Sequence, residues 1–172
     1  LIIETTGSIR CGDAAGDGRG REWWEARLFE FGVRRHTRFL AGTSFEALEE
    51  EPTATCLLLQ RLPDSAATNY PLTWLRSERD LHMDMLRETG RRADAHVARY
   101  EWARSFIKPG DIVVDAACGL GYGTALLWDG SEAAQVLGLD ISDSAIAYAR
   151  ACFAPGRPQV DYRVADAEAW DG

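Results

Sequence analysis

Three aspartates and three glycines carry the chemistry that this sequence can do. Asp115, Asp140 and Asp166 each close a short strand-like run, "DIVVD", "QVLGLD" and "VDYRVAD", and Gly119, Gly121 and Gly123 follow the first of them. A carboxylate accepts hydrogen bonds from two hydroxyls at once, and glycine lets main-chain N–H groups approach a bound molecule closely. One aspartate at a strand end is ordinarily a helix cap or a solvated turn residue. Three at equivalent strand ends, with a glycine turn beside the first, point to a ligand site.

The elements that must hold these residues follow from the surrounding pattern. The apolar run 112–114 reads as a buried strand, and Thr124-Ala125-Leu126-Leu127 opens a helix reaching about Trp128. A second strand spans 135–140, and a helix over 143–153 puts Ile146, Ala149 and Phe153 on one side before Pro155-Gly156 closes it. In the last strand Val160, Tyr162 and Val164 alternate with Asp161 and Arg163. Strand, helix, strand, helix, strand with short connections implies a parallel sheet. Right-handed crossovers place all three carboxyl ends on one edge, where open α/β sheets bind ligands.

The glycine spacing limits which ligand that is. A dinucleotide fingerprint needs G-x-G-x-x-G, but Thr124 or Leu126 stands at the third glycine position in the two possible registers. A phosphate-cradling P-loop needs a lysine after its last glycine, and none is present.

"VVDAACGLGYG", "VLGLDIS" and "VADAEAW" together resemble the first three motifs of the class I S-adenosylmethionine-dependent methyltransferases. The resemblance implies a Rossmann-like parallel sheet with flanking helices, incomplete in this chain, and S-adenosylmethionine as cofactor. By that likeness Asp115, Ala117, Gly119 and Gly121 form the methionine-side turn. Asp140 takes the ribose hydroxyls with Ile141 against the adenine, and Asp166 with Ala167 reaches the adenine rim. The implied activity is methyl transfer to a small-molecule or glycan acceptor; the alternative is a non-catalytic cofactor-binding or scaffolding fragment. The general base of such enzymes follows the fourth strand or lies in later insertions, so no catalytic residue is assigned. The N-P-P-Y type of motif used on nucleobase amines is absent.

Residues 1–62 resemble the tail of such a unit, through "LIIETT", "REWWEARLFEFGVRRHTRFL" and "TATCLLLQRL". The pattern predicts a strand over 1–6, a loop over 7–20, a helix over 22–31, strands over 34–40 and 53–60, and an acidic turn over 45–51. A linker over 63–77, with Pro63 and Pro71 bounding its clearest part, divides this tail from the cofactor-binding half, 78–172. That half begins with helical sequence over 78–107, broken at Gly90, in which Val97, Tyr100, Ala103 and Ile107 recur at helical spacing. The chain opens at Leu1 inside a strand-like run and without methionine, which reads as a piece of a longer protein.

Composition sets the remaining bounds. A net charge of −8 disfavours a nucleic-acid partner, and no apolar run is long enough for a membrane span. The four cysteines have no metal or disulfide-framework spacing, and His36, His82 and His96 have no ligand spacing, so no metal is expected and a reducing cytoplasm fits. Cys118 reads as a small space-filling residue rather than a nucleophile. Met83 and Met85 are two apart, so at most one of them faces a core. His96, Arg99 and Tyr100 precede the first strand, where a helix over the cofactor gives them a minor part in closing the site.

Overall fold

The computed structural model describes residues 7–10, 20–50, 56–77 and 83–170. Two three-stranded sheets organise them. In the first, β3 (Cys56–Arg61) lies antiparallel between β1 (Gly7–Arg10) and β2 (Val33–Arg35). Helix α1 (Arg21–Phe29) precedes β2 and stops before Gly32, whose φ of +71° suits the left-handed turn that ends a helix. Phe29, Val33, Phe39, Leu48, Leu57 and Leu59 make the small core of this part.

The second sheet has the expected Rossmann-like arrangement. Strands β4 (Ile112–Ala116), β5 (Gln135–Asp140) and β6 (Val160–Val164) run parallel in sequence order, with Val113 beside Val136 and Val136 beside Val160. Helices α6 (Tyr122–Trp128) and α7 (Asp143–Cys152) make the crossovers, and the Ser142 hydroxyl caps α7 by accepting from Ala145 N at 3.2 Å. Ala125, Leu126, Ile146 and Ala149 of these helices share a core with Val136, Val160 and Tyr162 of the strands. Helix α5 (Arg91–Arg104) lies against α6, with Val97 buried and Tyr100, Ala103 and Ile107 packed on the same core. On the other face of β4, Ile112 is 71% exposed and Val114 39%.

Several expected elements take another form. Gly7–Arg10 is a strand rather than part of a loop, because it completes the ladder of β3; the expected strand over 1–6 lies outside the described residues. The expected strand over 34–40 ends at Arg35, and a 3-10 turn at Phe39–Ala41 follows, which buries Phe39 beneath the Arg35 guanidinium. The acidic stretch after it is helix α2 (Phe45–Glu50), started by the Ser44 hydroxyl accepting from Ala47 N at 3.1 Å and held by buried Leu48.

The stretch read as a linker carries α3 (Asp64–Asn69) and α4 (Leu72–Ser77), whose Ala66 and Leu75 are buried in the larger core. Within the expected helix over 78–90, the described residues 83–90 form turns, and helix begins only after Gly90, at φ +88°.

Strand β2 is buried on both faces and ties the two parts together. From one face Arg35 makes a two-bond fork to Glu25 at 2.8 Å and 2.8 Å and pairs with Asp94 of α5 at 2.9 Å. Arg21 of α1 reaches the same Asp94 at 2.6 Å. From the other face the Arg34 guanidinium lies 4.1 Å over the Phe153 ring. Buried ions need such paired geometry to offset their desolvation.

Candidate cofactor site

The turn after β4 is built from three glycines that are there for three different reasons. At Gly119, φ +54°, a Cβ would meet nothing within 4 Å, so this main chain is open to the neighbouring cleft. At Gly121, φ +80°, a Cβ would lie 2.5 Å from the Ala149 Cβ and 2.7 Å from Tyr162, so the residue allows α6 to close on α7 and β6. At Gly123 a Cβ would fall 2.0 Å from the Tyr100 ring, so this glycine lets α5 lay that ring on α6. Gly121 therefore faces packed protein and belongs to the turn through its packing. Ala117 also adopts a left-handed conformation, φ +61°, which is strained for a residue with a side chain.

Hydrogen bonds fix the turn to the sheet edge. Cys118 N donates to the Leu139 carbonyl at 2.8 Å, and Gly119 N donates to Oδ2 of Asp140 at 2.8 Å. The other oxygen of Asp140, Oδ1, accepts from Ser142 N at 2.9 Å, so the carboxylate joins the glycine turn to the start of α7. Asp115 is turned inward and accepts from Thr124 Oγ1 at 2.7 Å and from the Tyr100 hydroxyl at 3.3 Å. Burial pushes the Asp115 carboxyl up, while these two donors pull it back. Asp115 thus braces the turn from beneath.

Ile141, 76% exposed, follows Asp140 at the carboxyl edge of the sheet. Asp166 and Ala167 are exposed just beyond β6, where Ala165 N donates to the Asp140 carbonyl at 3.0 Å. The Asp166 carboxylate accepts from Glu168 N at 2.9 Å, in its own turn.

A cleft of about 520 Å³ opens between this turn and α5, with Ala117, Cys118 and Gly119 on one wall and Arg92, His96, Arg99 and Tyr100 on the other. Of the residues singled out by the resemblance, Ala117 and Gly119 line it; Asp115, Gly121, Asp140, Ile141, Asp166 and Ala167 surround the same sheet edge without lining it. Met83 and Met85 both line it; Met85 is buried in the larger core and half-buried Met83 packs against that core too, where at most one was expected to face a core, because neither helix nor strand alternation governs residues 83–90. Tyr122 was not singled out, and its hydroxyl lies 3.3 Å from His96 Nδ1.

The cleft has no carboxylate among its described lining residues. Burial, with the Asp115 charge next, pushes the Cys118 thiol up to about 12, which makes it unreactive near neutral pH. Burial likewise raises the Tyr100 and Tyr122 hydroxyls. Burial, then the charges of Arg99 and Arg92, holds His96 below its ordinary value. At neutral pH this neutral imidazole is the one described lining group able to accept a proton. Among the described residues no three His, Cys, Asp or Glu side chains converge as a metal site, and no helix is long and apolar enough to cross a membrane.

Residues 113–172 match the family model described as "Methyltransferase domain". A comparison with curated proteins finds no match. Among similar solved structures is YjhP from E. coli, with 21% identity over 42% of this chain and 31% of that one, at a TM-score of 0.38. Mycolic acid cyclopropane synthase CmaA1, complexed with SAH and CTAB, has 18% identity over 48% and 30%, at 0.41. A dimethyladenosine transferase from Plasmodium falciparum has 26% over 44% and 27%, at 0.38. The chain spans under a third of the length of these proteins. The glycine turn and the aspartate-ended strands fall inside the matched segment, so it is over residues 113–172 that the chain is similar to a methyltransferase domain.

Proposed function

We propose that the chain binds S-adenosylmethionine at the carboxyl edge of β4, β5 and β6 and serves methyl transfer to a small-molecule or glycan acceptor in the cytoplasm. The observation that carries this reading is the bond from Gly119 N to Asp140, which places an open stretch of main chain beside a carboxylate. That carboxylate accepts two main-chain N–H groups and keeps lone pairs for two ribose hydroxyls. Exposed Ile141 beside it offers an apolar surface to an adenine ring, and Asp166 with Ala167 stands two residues past β6 for the adenine rim. Ala117 and Gly119 would hold the methionine end, with Asp115 and Gly121 keeping the turn in shape.

The cofactor supplies an activated methyl group on a sulfonium; the chain supplies position and surroundings. Tyr100, Tyr122 and the two methionines wall the cleft with apolar surface. His96, which lines the cleft and is held neutral, would take a proton that the acceptor gives up. The front segment, 1–62, belongs in this reading to the tail of a methyltransferase-like unit, with 63–77 as the connection.

Calorimetric titration of the chain with S-adenosylmethionine, SAH and NAD tests the proposal. The expected result is one site for the first two and none for NAD. Binding of NAD, or failure of both sulfur compounds to bind a chain that circular dichroism shows to be folded, would overturn it. A second reading, a cofactor-binding piece without transfer activity by itself, draws on exposed Ile112 and Val114, an uncovered apolar face of β4. Release of SAH from labelled cofactor in the presence of candidate acceptors separates the two readings.

A further inference from the structure

A second cavity, of about 380 Å³, lies at the opposite edge of the parallel sheet from the glycine turn. Its walls are the β2–β3 pair, through Arg34, Gln60 and Arg61, and the loops that lead into β5 and β6, through Asp129 and Arg157. Those loops meet the amino ends of their strands, so this cavity is separate from the proposed cofactor site. Its described charged lining is three arginines against one aspartate, in a chain whose net charge is −8.

The three guanidinium groups are not equally provided for. Arg157 donates through Nε to Asp129 at 2.9 Å and through Nη1 to the Phe153 carbonyl at 2.9 Å. Arg34, only 3% exposed, has neutral partners: Nη2 donates to the Cys152 carbonyl at 3.0 Å, and the Gln60 carboxamide, in the orientation that turns its oxygen to the guanidinium, accepts from Nε at 2.9 Å. Its Nη1 is buried without a hydrogen-bond partner. Among the described residues no carboxylate bonds Arg34 or Arg61, and Arg61 is exposed at the rim. A buried guanidinium without a bonded carboxylate bears a desolvation cost that a bound anion would offset. Burial also lowers the Arg34 pKa, with Asp84 opposing it from a distance.

We propose that this cavity binds a phosphate group, free or on a small organic molecule, between Arg34 and Arg61. Guanidinium forks match phosphate oxygens in pairs, and a phosphate near its double charge equals the positive excess of the lining. A carboxylate leaves half of that excess unmatched.

The test uses the full chain with inorganic phosphate, phenyl phosphate and acetate, each against sodium chloride at the same ionic strength, followed by calorimetry and thermal unfolding. Phosphate is expected to bind saturably at one site, to raise the unfolding midpoint above the chloride control, and to bind roughly tenfold tighter than acetate. Replacement of exposed Arg61 by alanine is expected to weaken it by about tenfold, and Arg34→Met to abolish it. If Arg34→Met does not fold, Arg61→Ala decides. Tighter binding of phenyl phosphate supports an organic phosphate, and equal binding supports the free ion. Phosphate acting no more than chloride, acetate binding as tightly, or unchanged binding in Arg61→Ala would each overturn the site.

Discussion

The main-chain N–H of Gly119 lies 2.8 Å from Oδ2 of Asp140, so a residue of the first turn depends on the acid that ends the next strand. Removing the Asp140 carboxylate takes away an acceptor for that N–H and for Ser142 N, besides the proposed ribose contact. Hydrogen bonds to a charged group are worth about 1.5–3 kcal/mol each, so Asp140→Ala should weaken SAH by about 100-fold or more. Asp140→Asn, which keeps one oxygen, should fall between. Calorimetry on both variants, with circular dichroism to confirm folding, reads the effect; an alanine variant that binds like the parent would remove Asp140 from the site.

The glycines of the turn should separate stability from binding. Gly121→Ala pushes a methyl into Ala149 and Tyr162 at a left-handed position, and overpacking of that kind costs about 1–3 kcal/mol before backbone strain of roughly 1–2 kcal/mol is added. Gly119→Ala has the strain without the clash, and its methyl projects into open space beside the cleft. Urea unfolding should rank Gly121→Ala as the less stable variant. SAH titration should show Gly119→Ala as the greater loss of affinity per unit of stability lost. The reverse ranking in urea would contradict the packing at Gly121.

Asp94 is 2% exposed and is shared by Arg21 and Arg35. Asp94→Ala leaves two buried guanidinium groups short of a partner, a change that costs about 3–5 kcal/mol. Because the network joins α1 and β2 to α5, the loss should appear in one cooperative transition, followed together by tryptophan fluorescence and far-ultraviolet circular dichroism. A loss under about 1 kcal/mol would mean that the network holds little.

His96 provides a pH test. Its imidazole is held below the ordinary value of 6.5 by burial first and by Arg99 and Arg92 second. The folded chain then binds that proton less readily than the unfolded chain does. The neutral ring's contribution to stability is full above about 6.5 and is lost as pH falls through the lower folded value. Arg99→Ala removes the second of these causes and leaves burial and Arg92, so the imidazole should titrate higher than in the parent and still below its ordinary value. Proton NMR of the ring follows both; a parent value at or above the ordinary one would contradict the described surroundings.

Local patterns made the parallel sheet legible, and long-range contacts account for what was not. Strand 135–140 has the same limits in sequence and structure because its buried middle, Val136 to Leu139, is a continuous apolar run between polar Gln135 and Asp140. The three glycines were visible by spacing, but the separate reasons for them reside in Tyr100, Ala149 and Tyr162, roughly one or two elements away. Helix α2 had a readable start at Ser44, which the acidic run concealed. The pairing of Arg21 with Asp94 joins residues 73 positions apart, and no periodicity reports such a contact. For the same reason the cleft wall on α5 was only partly foreseen, through His96, Arg99 and Tyr100, while Arg92, Tyr122 and the two methionines became visible once the chain was folded.

Helix α5 has two occupations at once. Through Asp94 it is held by α1 and β2, and through Arg92, His96, Arg99 and Tyr100 it walls the cleft. By thermodynamic reciprocity, a ligand that secures this helix from the cleft also resists the opening of the segment clasped behind it. Amide hydrogens of α1, remote in sequence from the glycine turn, therefore become reporters of occupancy: their exchange with solvent slows as the cleft fills.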